Sequence, residues 1–224
     1  MSKEIDRISE QIGCLNTPMI PATLISTKGT HCHVWQCIRT LITEQGTQYL
    51  DFVIKCHHSP CDFMEIKSLK RDYDRLKRYL GDIIPDALFV ATEVNGQPNV
   101  LVMAMTYKPW FNVANPGNEA EVIPLFRRLE RAQIQLRHFI QVAYRWYEEE
   151  GRVIDLYGVD NLILDRNQSL HYIDSFTVFF YEDLLKIIDD DSTGLKEKID
   201  LSLRRLDYLD YVLKASEKKL IAID

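Results

Sequence analysis

A chain of 224 residues is long enough for one domain or two small lobes with a proper buried core. Hydrophobic residues make up 46% and charged residues 27%, an ordinary balance for a globular protein, and a net charge of −6 argues against a general nucleic-acid or anionic-membrane surface. No apolar run reaches the ~20 residues that cross a bilayer, and the opening Met-Ser-Lys-Glu-Ile-Asp lacks the apolar core of a secretion signal, so the expected location is the cytoplasm. Five cysteines (Cys14, Cys32, Cys37, Cys56, Cys61) are an odd number in a chain that needs no staples, which favours reduced thiols.

Strand-like runs come first, at 22–25, 34–42 and 49–55, separated by the turns 26–30 and 44–47; they read as an antiparallel meander. A helix follows. Asp62 with Glu65 three residues later is an aspartate version of the capping box. Phe63, Ile66, Leu69, Tyr73, Leu76 and Leu80 keep helical spacing, and Gly81 and Pro85 end the run. Two further strands fit 88–94 and 100–105 around the turn Asn95-Gly96. Residues 108–118, rich in Pro, Gly and Asn, suit a linker. A long helix is predicted over 123–150, with Phe126, Leu129, Ile134, Phe139, Val142 and Trp146 on its buried side and Gly151 at its end. Helices over 181–189 and 192–219 close the chain, the second carrying the stripe Leu195, Ile199, Leu206, Leu209 and Leu213.

Between the long helix and the last two lies the segment with the most chemistry. Val153-Ile154 runs into a polar loop, Asp155-Leu-Tyr-Gly-Val-Asp-Asn161. The apolar run 162–164 then leads through the turn 165–169 into a third run ending at Asp174. Short apolar runs bounded by turn residues predict a β-hairpin, which brings Asn161 and Asp174 (174 − 161 = 13 residues apart) to one end. An amide oxygen and a carboxylate meeting there form a hard-oxygen pair suited to Mg²⁺.

This pattern resembles the catalytic-loop Asn and the metal-binding Asp of the protein-kinase-like superfamily, and is most similar to its small bacterial members. The resemblance covers about 24–174. It implies an α+β, two-lobed fold: an N-lobe over 1–107 with a five-stranded antiparallel sheet and one helix, and a truncated, mostly helical C-lobe over 108–224. It also implies ATP and Mg²⁺ as cofactors and a nucleotide and an unspecified phosphate acceptor as partners; the charge and the apolar run lengths add the expectation of no nucleic acid and no membrane span. Val53-Ile54-Lys55 resembles the strand signature whose Lys holds the nucleotide phosphates. Asp72, 72 − 55 = 17 residues later, stands where the family has the Glu that pairs with it; Glu65 is the competitor, with its capping role already assigned. The backbone of Ala104–Thr106 would contact adenine, and Asn161 with Asp174 would hold the metal.

Departures are plain. Of the three glycines of the phosphate-covering loop only Gly29 remains, with Thr27 and Cys32 at the other two positions. The catalytic Asp of the family lies five residues before the Asn, where this chain has Leu156; Asp155 is one residue earlier. Either Gly158 lets the loop bulge so that Asp155 serves as the base, or Asp155 merely caps a turn. Asp174-Ser-Phe176 replaces Asp-Phe-Gly, and the 224 − 174 = 50 residues that follow leave no room for the family's large substrate-docking subdomain. Two readings therefore stand: a phosphotransferase, or a pseudokinase that binds and regulates without turnover.

Overall fold

The computed structural model describes residues 7–26, 32–44, 46–187 and 194–217. Gly29, with Thr27 and Thr30 of the expected phosphate loop, lies outside the described residues, as do both ends of the predicted last helix (192–193 and 218–219). The protein is α+β. It divides into two compact units, Met1–Tyr73 with Pro85–Thr106 and Asp74–Ile84 with Tyr107–Asp224.

The first unit is built on β1 (Ala22–Ser26), β2 (Cys32–Thr43), β3 (Gly46–His57), β4 (Ala87–Val94) and β5 (Gln97–Met105), with residues 63–73 of α1 (Phe63–Leu80), the helix between β3 and β4. The sheet is antiparallel throughout, in the order β1-β2-β3-β5-β4. Alternation along the strands gives each face its own cover. Trp35, Cys37, Ile54, Cys56 and Leu101 face one way, where they pack with Ile8, Ile12 and Ile20 of the N-terminal segment. Register aligns Val34, Lys55, Val102 and Phe89 in one row on the other face. There Tyr73 of α1 lies against Phe89, ring centroids 5.0 Å apart.

α1 starts where the capping box places it: Glu65 accepts from the Asp62 N–H (2.7 Å) and Asp62 accepts from the Glu65 N–H (2.8 Å). Tyr73, Leu76 and Leu80 are buried, whereas Phe63, at the helix entrance, is 72% exposed. Asn95 (φ 50°) and Gly96 (φ 77°) make the two-residue turn between β4 and β5, with both central residues left-handed as such a hairpin demands.

The second unit contains β6 (Pro109–Asn112), α2 (Glu119–Phe126), α3 (Glu130–Glu150), β7 (Arg152–Ile154), β8 (Leu162–Asp165), β9 (Leu170–Tyr172), β10 (Phe179–Tyr181) and α4 (Leu195–Glu217). The single helix predicted over 123–150 is thus two. Leu129 leaves the helical region (φ −113°, ψ 76°) between them, although its side chain stays in phase with the buried stripe. Ile134 points outward, 54% exposed. α3 ends at Gly151, left-handed at φ 60°, whose N–H closes back on the Tyr147 carbonyl (3.0 Å). The aromatic run at 179–181, its last residue expected to open a helix, is a strand paired with β7: Phe179 opposite Ile154 and Phe180 opposite Val153. A 3-10 turn over Glu182–Lys186 stands where that helix was predicted.

All five residues of the C-terminal stripe are buried, from Leu209 at 0% to Leu195 at 9% exposure. α4 packs against α2 and α3. Tyr144 donates to Asp207 (2.6 Å), Arg137 pairs with Glu217 (2.6 Å) and Tyr211 donates to Glu119 (3.0 Å) along the seam. Burying four leucine-sized side chains contributes roughly 6–12 kcal/mol before entropy, as much as a whole domain's net stability. Deleting residues 192–224 should therefore abolish cooperative unfolding, measured by thermal circular dichroism. A truncated chain that melts as sharply as the parent would show that the stripe is dispensable to the fold.

Candidate functional site

β8 and β9 pair as Leu162 with Tyr172, Ile163 with His171 and Leu164 with Leu170. One rung further, the Ile173 N–H donates to the Asn161 carbonyl (2.8 Å). This register sets Asn161 and Asp174 at the open end of the hairpin, as the apolar spacing predicts. Its closed end is organised by Asp165, which is 5% exposed. Asp165 Oδ1 accepts from the Ser169 N–H (2.8 Å), and Oδ2 lies 3.3 Å from His171 Nε2. Burial pulls the His171 pKa down, against the opposing pull of the Asp165 side chain beside it.

Asn161 is held on both sides. Its Nδ2 donates to the Asp155 carbonyl (3.1 Å) and its N–H to the Gly158 carbonyl (3.3 Å). The first bond commits the amide nitrogen and so decides which end of the side chain presents oxygen. That oxygen passes over Gly158, where an added Cβ would stand only 2.6 Å from Oδ1. Glycine is required here by close approach. Asp174 Oδ1 accepts from the N–H groups of Ser175 (2.7 Å) and Phe176 (3.3 Å), which fixes the carboxylate against the turn that follows it.

Asp155 leaves the end of β7 with its N–H bonded to the Val178 carbonyl (2.9 Å). Its side chain is buried (5% exposed), and Oδ1 accepts from the Tyr157 N–H (2.7 Å). The turn-capping role is therefore real, yet it does not make the carboxyl ordinary. Burial first and the charge of Asp174 second push its pKa up to about 7, against smaller opposing effects from the Tyr157 N–H, Lys198 and Arg205. The Asp155 carbonyl also accepts from the Tyr172 hydroxyl (3.0 Å), a fully buried phenol held protonated by the same surroundings.

The loop between Asp155 and Asn161 is gripped by α4, which the sequence does not announce. Ser202 Oγ accepts from the Leu156 N–H (3.2 Å), and Arg205 donates to the carbonyls of Leu156 (2.6 Å) and Tyr157. The only trace of this in the sequence is Ser202 at a buried phase position between Ile199 and Leu206, a polar residue in an apolar stripe.

In the first unit Lys55 stands on β3 opposite Val34 and Val102, only 8% exposed. A lysine buried to that degree requires a counter-charge or acceptors. Asp72 is half-buried on α1, beside the Tyr73 that lies on Lys55's face of the sheet, with Arg71 Nε 3.6 Å away. Glu65 is committed to the helix cap. At the end of β5 the Thr106 N–H donates to the Asp51 carbonyl (3.0 Å). Antiparallel parity then makes Ala104 and Val53 a hydrogen-bonded pair as well, so the amides of Ala104 and Thr106 both turn into the sheet. The backbone of Met105 faces the other way, past the start of β4. Of the stretch expected to meet adenine, the backbone of Met105 alone is turned away from β3. Thr106 Oγ1 is buried without a hydrogen-bond partner among the described residues.

Among the described residues no group of three or more His, Cys, Asp or Glu side chains is arranged to hold a metal ion. Asn161 with Asp174 is a different donor set, one amide and one carboxylate. A groove lined by Ile140, Tyr144, Arg145, Glu148 and Asp210 runs along α3 and α4 and shares no residue with this set. No helix of the described residues is long and apolar enough to cross a membrane. No protein-family model matches the chain, and no curated protein matches it either.

Two outcomes follow from the packing of this loop. Because the Asp155 pKa is raised on folding, the fold binds its proton more tightly than the unfolded chain does. Stability is highest below the ordinary value of 3.8 and is lost as pH rises through about 7. Asp155→Asn keeps the acceptor for Tyr157 and removes the charge. Its gain over wild type in urea melts should grow by roughly 3 kcal/mol between pH 4 and pH 8, and a difference flat with pH would contradict the assignment. Gly158→Ala should displace the Asn161 amide and cost about 1–3 kcal/mol, read in the same melts; an unaltered midpoint would mean that the loop has slack.

Proposed function

We propose that the protein is an ATP·Mg²⁺-dependent phosphotransferase of the two-lobed, protein-kinase-like kind, acting on an acceptor hydroxyl. The observation that carries this reading is the fixed orientation of Asn161. Its amide nitrogen is anchored to the Asp155 carbonyl, and its hairpin register shares one end with Asp174. An oxygen-only pair of this type fits Mg²⁺, which completes its shell with phosphate oxygens and water. Magnesium and nucleotide would supply neutralisation of the charge that develops on the transferred phosphoryl group.

The chain's own residues divide the remaining work. Asn161 and Asp174 hold the ion. Asp155 accepts the proton of the acceptor hydroxyl; a carboxyl pushed up to about 7 is basic enough to take that proton and still ionised in part at neutral pH. Lys55, presented from a rigid strand, holds the phosphates, with Asp72 as its orienting counter-charge. The outward backbone of Met105 meets the adenine edge.

The pseudokinase reading keeps two observations on its side. Asp155 Oδ1 is already engaged by the Tyr157 N–H, and two of the three phosphate-loop glycines are replaced. Titration calorimetry separates the cases. ATP should bind in the presence of Mg²⁺, weaken strongly in its absence, and bind without Mg²⁺ dependence to Asp174→Ala. Phosphate release from ATP should accompany binding in the wild type and vanish in Asp155→Asn. Binding without release favours the pseudokinase, and no heat at roughly millimolar nucleotide removes the phosphotransferase reading.

A further inference from the structure

We infer that Arg205 on α4 is the positioning residue for Asp155, acting through the peptide group that joins Leu156 to Tyr157. This rests on the phosphotransferase reading for its consequence in catalysis, but the geometry stands by itself. The carbonyl of that peptide accepts from Arg205 Nη1 (2.6 Å), and its N–H donates to Asp155 Oδ1 (2.7 Å). One rigid plane thus links guanidinium to carboxylate, and a peptide plane cannot turn at one end without turning at the other.

The grip is redundant in the way a positioning device requires. Arg205 Nη1 also donates to the Tyr157 carbonyl, and Ser202 Oγ, one helical turn away, accepts from the Leu156 N–H (3.2 Å). Both polar groups of Leu156 are therefore bonded to α4. Leu156 itself is fully buried, at 0% exposure, and anchors the backbone from the inside. Both bonds leave one nitrogen, Nη1, of a planar guanidinium whose plane fixes the direction of its donors, whereas a lysine ammonium turns freely about its stem. The same hydrogen bonds that place Tyr157 leave the Asp155 carbonyl to Asn161 Nδ2 and Tyr172, so α4 sets the side chain while the hairpin sets the main chain.

The experiment is hydrogen exchange of the Tyr157 amide by NMR in wild type, Arg205→Gln and Arg205→Lys, alongside ATP·Mg²⁺ affinity and phosphate release. Losing a hydrogen bond to a charged donor predicts exchange at Tyr157 faster by about 10–100-fold in Arg205→Gln, with α3 amides unchanged and partial recovery in Arg205→Lys. Release should fall by a similar factor while nucleotide affinity stays within about threefold, since Arg205 touches the loop and not the ligand. Unaltered Tyr157 exchange in Arg205→Gln overturns the inference. If that variant does not fold, Arg205→Lys with Ser202→Ala decides: Tyr157 exchange as slow as wild type in both overturns it. A wild type that neither binds nor cleaves ATP defeats the phosphotransferase reading alone, because the Tyr157 amide still reports whether Arg205 holds the loop.

Discussion

One carbonyl oxygen, that of Asp155, takes two hydrogen bonds from opposite directions: the Asn161 side chain from the loop and the Tyr172 hydroxyl from the core. Everything that follows depends on that shared acceptor. It locks β7's exit to the first residue before β8 and to the last residue of β9, so three short strands behave as a single frame. Tyr172 is completely buried and also lies against Phe139 of α3, centroids 6.2 Å apart, which transmits the position of the helix into the loop. Strands of three or four residues would not hold such precision alone.

The electrostatics of this frame follow from its packing rather than from a concentration of charge. Asp155 is 5% exposed, joined to the buried Leu156 and bonded through its N–H to the carbonyl of the buried Val178, and the charge of Asp174 adds to the rise in its proton affinity. Two cations, Lys198 and Arg205, oppose the rise in proton affinity without cancelling it. Ionisation of such a group works against the fold, so its raised proton affinity becomes a cost that grows as pH rises through about 7.

Local signals made much of this legible in the sequence. The capping pair Asp62/Glu65, the Asn95-Gly96 turn, Gly151 at a helix end and the hairpin spacing from Asn161 to Asp174 each depend on near neighbours in the chain, and each is found where the residues place it. What escaped depends on distant partners. β10 is a strand because β7 offers it an edge, and three adjacent aromatic residues show core packing without saying which element carries it. The break at Leu129 keeps the buried phase on both sides, so periodicity alone passes straight through it. Arg205 could not be singled out because its partners are main-chain carbonyls, which no sequence pattern marks. The direction of the Ala104 and Thr106 amides needed the β3–β5 register, a property of pairing and not of either strand.

The N-terminal segment has a practical consequence. It crosses the sheet face opposite Lys55, with Ile8 and Ile12 in the core and the Gly13 N–H bonded to the Glu93 carbonyl (2.8 Å). The next residue, Cys14, is the one exposed thiol of the five; the other four are buried, and Cys56 is pushed up to about 12 chiefly by desolvation. Only thiolate reacts readily, so alkylating reagents will discriminate sharply among these cysteines. A fluorophore introduced through maleimide chemistry would therefore settle at a single position, on the strap itself, and would report its departure from the sheet without any engineered residue.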